Sequence, residues 1–509
     1  MKKRSLALVT AVILAVAAFT GCGKKEEKTS TGERELTVWG LASSANAQES
    51  PFIKGWEEGT GVKLNFMQTM EGSSEPFNLM IASGEYPDII FENLYASGGI
   101  NKYAEDGVII EITDMLEEKA PNYKKFLDEN PELDKSVKTD DGKYFAFSSF
   151  SPDERLRATC GPMVRKDLLD KAGMEIPETV EEWEEVLRYF KSLGMSKPLS
   201  YNLLSYESNY GGFIGAYGVK ANFYIKDGKV KWGYLEPEML EALKNLNKWY
   251  KEGLIDKEIV KVTSLDTNIL NSDTGATLAY LGSGMGKWLD AMKAKDSNFN
   301  IVAAPYPVLK KGDKPVHTST VEGMSPRRNG FISTACKDVD LAMEFLDWGY
   351  SEEGHMFFNF GIEGESYNMV DGYPTFTDII LKDAKGRSIS DMMEQYVRSH
   401  SGGPFATDIR VYEQYYPYQQ QLNALEVWPD MSTVKNHLPL TLTLTAEESS
   451  KVSTITNNLN TYCDEQLFRY IMGLESFDTY DEFIKKQKDL GIDEALKVYQ
   501  TAYERYLKR

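Results

Sequence analysis

The sequence predicts an α/β fold built on a mostly parallel sheet. Three observations lead there. Between residues 35 and 91, short apolar runs alternate with helical stretches in the order strand, helix, strand, helix, strand. That order is the mark of parallel strands joined by crossover helices. Farther on, amphipathic helices open on paired capping residues. Finally, a chain of 509 residues is long enough for two or three domains.

The elements follow in chain order. Leu36 and Val38 alternate within ELTVWG to give a first strand. Residues 51–59 read as a helix, 62–67 as a second strand and 77–83 as a short helix. Gly84-Glu85-Tyr86-Pro87 turns the chain into a third, mostly apolar strand over 88–91. Asp141-Gly142-Lys143 is a turn before a strand at 144–147, and another strand follows at 161–165. Thr179 and Glu182 form a capping box, after which Val180, Trp183, Val186, Leu187 and Phe190 line one helical face. Asp227-Gly228 predicts a hairpin between 223–225 and 230–232. Met239, Leu240, Leu243, Leu246 and Tyr250 mark a second amphipathic helix, stopped by Gly253. Strands are expected at 276–281, 302–307 and 330–333, and a helix at 341–348. The tail from Thr445 is helical, opened by a second capping box with Glu448.

The N-terminus is a different kind of segment. Lys2, Lys3 and Arg4 precede an apolar run over 6–19, which is shorter than the roughly 20 residues a spanning helix needs. Cys22 follows the small residues Thr20 and Gly21. The arrangement resembles a bacterial lipoprotein signal, with Phe19 standing where Leu is commoner. The resemblance implies removal of residues 1–21, a diacylglycerol on the thiol of Cys22, and a mature protein held on the extracellular face of the membrane of a Gram-positive-type bacterium. An ordinary signal peptide with an incidental cysteine is the alternative. Residues 22–32 are charged, small and without apolar periodicity, and read as a flexible tether.

Charge and rare residues narrow the function. The formal net charge of −20, made more negative by loss of the basic leader, argues against nucleic acid or anionic phospholipid as partner. Cys160, Cys336 and Cys463 are too few and too scattered for a disulfide framework and are expected as buried free thiols, with one disulfide pair as the alternative. His317, His355, His400 and His437 show no ligand spacing, so no metal or cofactor is expected. No later stretch approaches 18 consecutive apolar residues.

Several phrases together resemble one family. They are GEYPDIIF (84–91), DGKYFAF (141–147), MVRKDLLDKAGMEIPETVEEWEEVLRYFK (163–191) and LNKWYKEGLID (246–256). In this order they are similar to the extracellular solute-binding proteins of ATP-driven importers, in the maltose-binding-protein-like carbohydrate family. GIEGESYNMVDG (361–372) and the segment 472–508 point to its longer lipoprotein branch. The resemblance implies a two-lobe periplasmic-binding-protein-like fold of type II, with a hinge and a ligand cleft between the lobes. It places lobe 1 at 33–148 and 302–355, and lobe 2 at 152–298 and 356–509. It also implies an oligosaccharide ligand, permease subunits of an importer as partners, a monomer and no enzymatic activity. Where many long relatives carry a calcium loop this chain reads SLGMSKPLS (192–200), so no ion site is expected.

A sugar cleft needs aromatic planes for the pyranose faces and short polar groups for the hydroxyls. Ligands of open α/β sheets collect at the carboxyl ends of strands. Trp39, after the first strand, is a stacking candidate, or else a core aromatic beneath the sheet edge. Trp288 follows the turn Gly282-Ser283-Gly284-Met285-Gly286, which lets backbone approach a ligand closely. Trp428 lies in an irregular stretch and offers a second wall. Glu92 and Asn93 follow a strand end, where they hold hydroxyls or cap a helix. Tyr206 and Asn209 occupy a polar aromatic loop, and Glu363, Glu365 and Tyr367 lie in the GIEGESY phrase, with Glu365 and Tyr367 preferred. Arg155 and Arg157 either pair with acids across the hinge or hold an acidic sugar. Other readings are a binding protein for peptide or another polar solute, an adhesin or signalling receptor, and a surface glycosidase. The glycosidase would need two flanking carboxylates, and among 77 acidic residues candidate pairs carry no weight.

Overall fold

The computed structural model describes residues 34–40, 49–67, 75–92, 99–320, 327–399 and 402–509. The leader, Cys22, the tether and Asn93 lie outside the described residues. The fold is a two-lobed α/β architecture around two sheets.

The first sheet has the order β2-β1-β3-β10-β4. Its strands are β1 (Glu35–Trp39), β2 (Lys63–Phe66), β3 (Ile89–Glu92), β4 (Ala146–Ser149) and β10 (Arg327–Ile332). In between come β5 (Cys160–Arg165), β6 (Phe223–Lys226), β7 (Lys229–Trp232), β8 (Ala276–Tyr280) and β9 (Ile301–Ala303). A late hairpin follows, of β11 (Tyr367–Val370) and β12 (Tyr373–Phe376). Strand alternation divides the first core into two. Leu36, Val38, Ile89, Phe91, Phe147 and Ile332 point to one face, while Trp39, Ile90, Ala146 and Phe331 point to the other. Both faces of the sheet are therefore covered, as the short apolar strands require.

The second sheet is β8-β5-β9, with β5 antiparallel to both neighbours and buried along its whole length. Helix Val180–Ser192 lays Trp183, Val186, Leu187 and Phe190 on this core. Its capping box forms as the sequence reading expects. Thr179 Oγ1 accepts from the Glu182 amide at 3.1 Å, and Glu182 Oε2 accepts from the Thr179 amide at 3.0 Å. The hairpin β6-β7 turns through Asp227 and Gly228, both at positive φ. Helix Ala446–Met472 opens on the second capping box and packs along helix Pro237–Glu252.

Strand pairing and ring stacking tie the stretches near the expected borders to one sheet or the other. Residues 302 and 303 pair with Val164 and Met163 of β5, so they belong with the second sheet. The chain stays there to residue 319, where Ser319 Oγ donates to the Cys160 carbonyl at 2.6 Å. Conversely, residues just after 355 pack on the first core. Phe357 stacks on Phe52 at 5.0 Å, and Phe405 stacks on Phe358 at 5.0 Å. Long-range contacts make these ties, and no local pattern in the sequence announces them.

Candidate functional site

Strand direction brings two edges together. β1, β2, β3 and β4 run parallel, and β10 runs against β3 and β4. The ends of β1, β3 and β4 and the start of β10 therefore share one edge. In the second sheet Cys160, at the start of β5, pairs with Tyr280, at the end of β8. Residues 150–159 lead from the end of β4 to the start of β5, and residues 304–326 lead from the end of β9 to the start of β10. Both crossings thus join the same two edges. A third stretch runs beside the first crossing. The Phe150 amide donates to the Phe405 carbonyl at 3.2 Å, and the Thr407 amide donates to the Phe150 carbonyl at 2.8 Å.

The first edge is short and polar. Gly40 sits at φ 85°, where a Cβ would lie 2.3 Å from the Phe91 carbonyl oxygen, so only glycine lets the chain leave β1 here. Trp39 is 6% exposed, its ring 6.1 Å from that of Phe77, which makes it a core aromatic beneath the edge. Glu92 is half-buried at the end of β3. Ser148 Oγ donates to Asn329 Oδ1 at 2.5 Å across β4 and β10.

The second edge carries tyrosines. Tyr280 is 39% exposed, and its hydroxyl lies 3.2 Å from that of Tyr210. The stretch expected as a polar aromatic loop is helix Leu203–Asn209, which ends at the exposed Asn209 and the cap Tyr210 and packs around a buried carboxyl. Glu207 accepts from the Tyr201 hydroxyl at 2.6 Å, the Phe213 amide at 3.0 Å and the Ile214 amide at 2.9 Å. Burial pushes its pKa up to about 7. Gly212 is needed because a Cβ there would meet Glu207 Oε1 at 2.5 Å. Tyr206, expected at the cleft, is only 6% exposed and packs edge-on against Tyr201.

Two expected stacking residues are core residues instead. Trp288 is 2% exposed, and its indole N–H donates to Asp266 Oδ1 at 2.8 Å. Residues 281–286 form one π-helical turn that runs straight into helix Lys287–Lys293 and swings the indole inward. The close approach that the glycines allow is taken by the protein itself. A Cβ on Gly284 would lie 3.3 Å from the Trp288 ring, and one on Gly286 would lie 2.4 Å from Gln421. Trp428 is 1% exposed, donates to the Ala304 carbonyl at 3.0 Å, and presses on β5 where Gly161 leaves room.

Nor do Glu363, Glu365 and Tyr367 reach the strand-end edge. Glu363 and Tyr367 line a surface groove of about 720 Å³ with Gly55 and Gly59 of helix Pro51–Thr60 and with Trp348. Gly59 and Trp348 also border Arg34, just before β1, so this groove opens toward the strand-start end. Glu365 accepts from the Tyr396 hydroxyl at 2.8 Å. Arg155 and Arg157 pair with acids inside the crossing and beyond it. Arg155 meets Asp153 at 2.8 Å and Glu413 at 3.3 Å. Arg157, 2% exposed, donates to the carbonyls of Ser151 and Pro152 and to Glu132. Tyr280, exposed at the second edge, is not among the residues the sequence reading singles out. The available signal was Tyr280 closing the strand ATLAY immediately before a glycine-rich turn.

Comparison with known proteins decides the family. The sequence profile of the bacterial extracellular solute-binding proteins matches residues 42–356, more than half of the chain. The chain belongs to that family. This solute-binding protein is 23% identical to the fructooligosaccharide ABC transporter substrate-binding protein FusA of Streptococcus pneumoniae, over 99% of this chain and 98% of FusA. It is 25% identical to the lipoprotein LipO of Bacillus subtilis, over 73% of this chain and 75% of LipO. Its fold matches an HMO-binding, ABC-transporter-associated solute-binding protein of Bifidobacterium longum infantis with a TM-score of 0.72. That match is 19% identical in sequence and covers 94% of this chain and 100% of the other. Among the described residues of the solute-binding protein, no group of three or more His, Cys, Asp or Glu is placed to hold a metal. None of the described helices is long and apolar enough to cross a membrane. Cys160, Cys336 and Cys463 are free thiols.

Proposed function

We propose that this solute-binding protein captures an oligosaccharide between its two strand-end edges and delivers it to the permease of an ABC importer. The two strand-end edges joined by chain crossings carry the reading, because lobes connected in this way can close on a ligand held between them. The full-length similarity to FusA supports a sugar oligomer as the ligand class. Tyr280 supplies the aromatic wall, its hydroxyl steadied by the buried Tyr210, while Asn209, Glu92 and the Ser148–Asn329 pair supply hydroxyl partners. Lobe 1 comprises 34–149 and 327–405, and lobe 2 comprises 160–319 and 409–509. The protein acts as a monomer without catalytic chemistry, held outside the cell by a lipid on Cys22. The similarity to a lipoprotein, LipO, favours that anchor.

The test is a thermal melt of the body from residue 33 onward against a panel of oligosaccharides. At 100 times its dissociation constant a ligand stabilises by about 2.7 kcal/mol, a rise of a few degrees. A rise with one sugar class and no cleavage of that sugar is the expected result. Capture from dilute surroundings requires a micromolar or tighter constant, about −8 kcal/mol. No rise with any sugar, but one with peptides, would overturn the ligand class.

A further inference from the structure

Behind Tyr210 lies a buried cluster of three basic side chains and a phenol that the sugar-binding reading does not use. Lys220 is 6% exposed, His317 1%, His437 3% and Tyr224 1%. They come from three separate stretches of chain. Lys220 and Tyr224 flank the entry to β6, His317 lies in the crossing from β9 to β10, and His437 precedes the terminal helices. The rings pack edge to face. Tyr224 and His317 have centroids 5.2 Å apart, and His317 and His437 have centroids 5.3 Å apart. Gly211 closes the cluster, since a Cβ there would lie 2.8 Å from His317 Cβ.

The hydrogen-bond balance of this cluster is one-sided. Lys220 Nζ donates to the Asn209 carbonyl at 3.3 Å and faces His437 Nδ1 at 3.4 Å. His437 Nδ1 therefore accepts, and its ring proton sits on Nε2. His437 Nε2, both ring nitrogens of His317 and the Tyr224 hydroxyl are buried and have no hydrogen-bond partner. His317 and His437 thus each leave one N–H unfilled near the Lys220 ammonium, and the Tyr224 hydroxyl, which feels the carboxylates of Glu236 and Glu238, leaves a third donor unfilled. No carboxylate of the described residues forms an ion pair with Lys220. A buried charge without a counter-charge, and buried donors without acceptors, are both costly. Water would leave the charge unopposed, whereas an anion supplies both charge and acceptors.

We propose that Lys220, Tyr224, His317 and His437 form a buried site for a small monovalent inorganic anion of the chloride class. The anion ties the loop 207–219 to the two stretches that bring in His317 and His437. The charge state fits this role. Burial lowers Lys220 only to about 8, so at neutral pH it remains largely an ammonium. Burial lowers His317 to about 3 and His437 well below its ordinary range, so both rings stay neutral. Sugar carboxylates are excluded because all four side chains lie beneath the surface.

The test compares thermal unfolding of the full-length protein in sodium chloride and in sodium gluconate at equal ionic strength. The expected result is a saturable rise in Tm with chloride that Lys220→Met removes. Crystals of the wild-type protein soaked in sodium bromide should show an anomalous peak in hydrogen-bonding range of Lys220 Nζ, a result that stands even if the variant does not fold. Equal Tm in the two salts with no bromide peak at the cluster would overturn the site in favour of water. A chloride effect that persists in Lys220→Met would place the ion elsewhere and overturn it as well.

Discussion

Tyr280 and Trp288 stand on either side of one glycine-rich turn, yet one ring is 39% exposed and the other 2%. Each has its polar atom occupied, the phenol by Tyr210 and the indole by Asp266. The difference lies in what each is attached to. Tyr280 ends a strand whose direction is set by pairing with β5, so its ring is left at the sheet edge. Trp288 starts a helix whose inner face must meet the core, and Asp266 satisfies its N–H there. Ring size and a neighbouring run of glycines therefore do not identify a ligand platform. The position of a residue along its strand decides instead whether its ring reaches the sheet edge.

The largest effect should come from the buried partner. Trp288→Ala should destabilise the protein by about 3–5 kcal/mol in denaturant unfolding, as large-to-small core changes do. The affinity of the folded fraction for its ligand should be unchanged. A selective loss of binding with full stability would return Trp288 to the site.

Next comes the support beneath the tyrosines. Glu207 has a folded pKa of about 7 against an ordinary 4.5. Its neutral form is favoured by the fold, so its contribution is complete below about pH 4.5 and is lost as pH rises through 7. The loss should amount to about 3 kcal/mol. His317 has the opposite sign, with a folded pKa of about 3 against 6.5, so its contribution is lost as pH falls below 6.5 toward 3. Stability curves of Glu207→Gln and His317→Phe against pH should each lose one of these slopes. A wild-type slope retained in Glu207→Gln would show that another group carries it.

The exposed partner should act on binding. Tyr280→Ala is expected to weaken the ligand by about 1–3 kcal/mol in calorimetry, as loss of an aromatic hot spot does. Its cost in stability should stay within about 1 kcal/mol. Unchanged affinity would remove the tyrosine wall from the cleft. The smallest effect is a control far from either ring. Thr179→Ala removes a formed capping box and should cost about 1 kcal/mol of stability with no change in affinity.

Much of the local structure was legible because it depends on near neighbours. The capping boxes at Thr179 and Thr445, the Asp227-Gly228 hairpin and the Gly253 stop all form as expected. Each rests on side chains within four residues of the backbone they serve. The family was legible too, since phrases spread along the chain carry it. The candidate site was legible only in outline. Asn209 is exposed beside Tyr210 and Glu92 ends β3, but Trp288, Trp428 and Tyr206 are interior, and the 361–367 phrase lines a different groove.

By itself, then, the sequence determined the α/β class, the order of the elements, their caps and the family, because local geometry and apolar period set these. The tertiary structure alone decided which aromatic reaches the strand-end edge, which sheet the stretches 302–319 and 357–405 pack on, and that three distant basic side chains and a phenol meet. Those outcomes depend on contacts between residues far apart in the chain, such as Cys160 with Tyr280, Phe52 with Phe357 and His317 with His437. No window of sequence holds both members of such a pair.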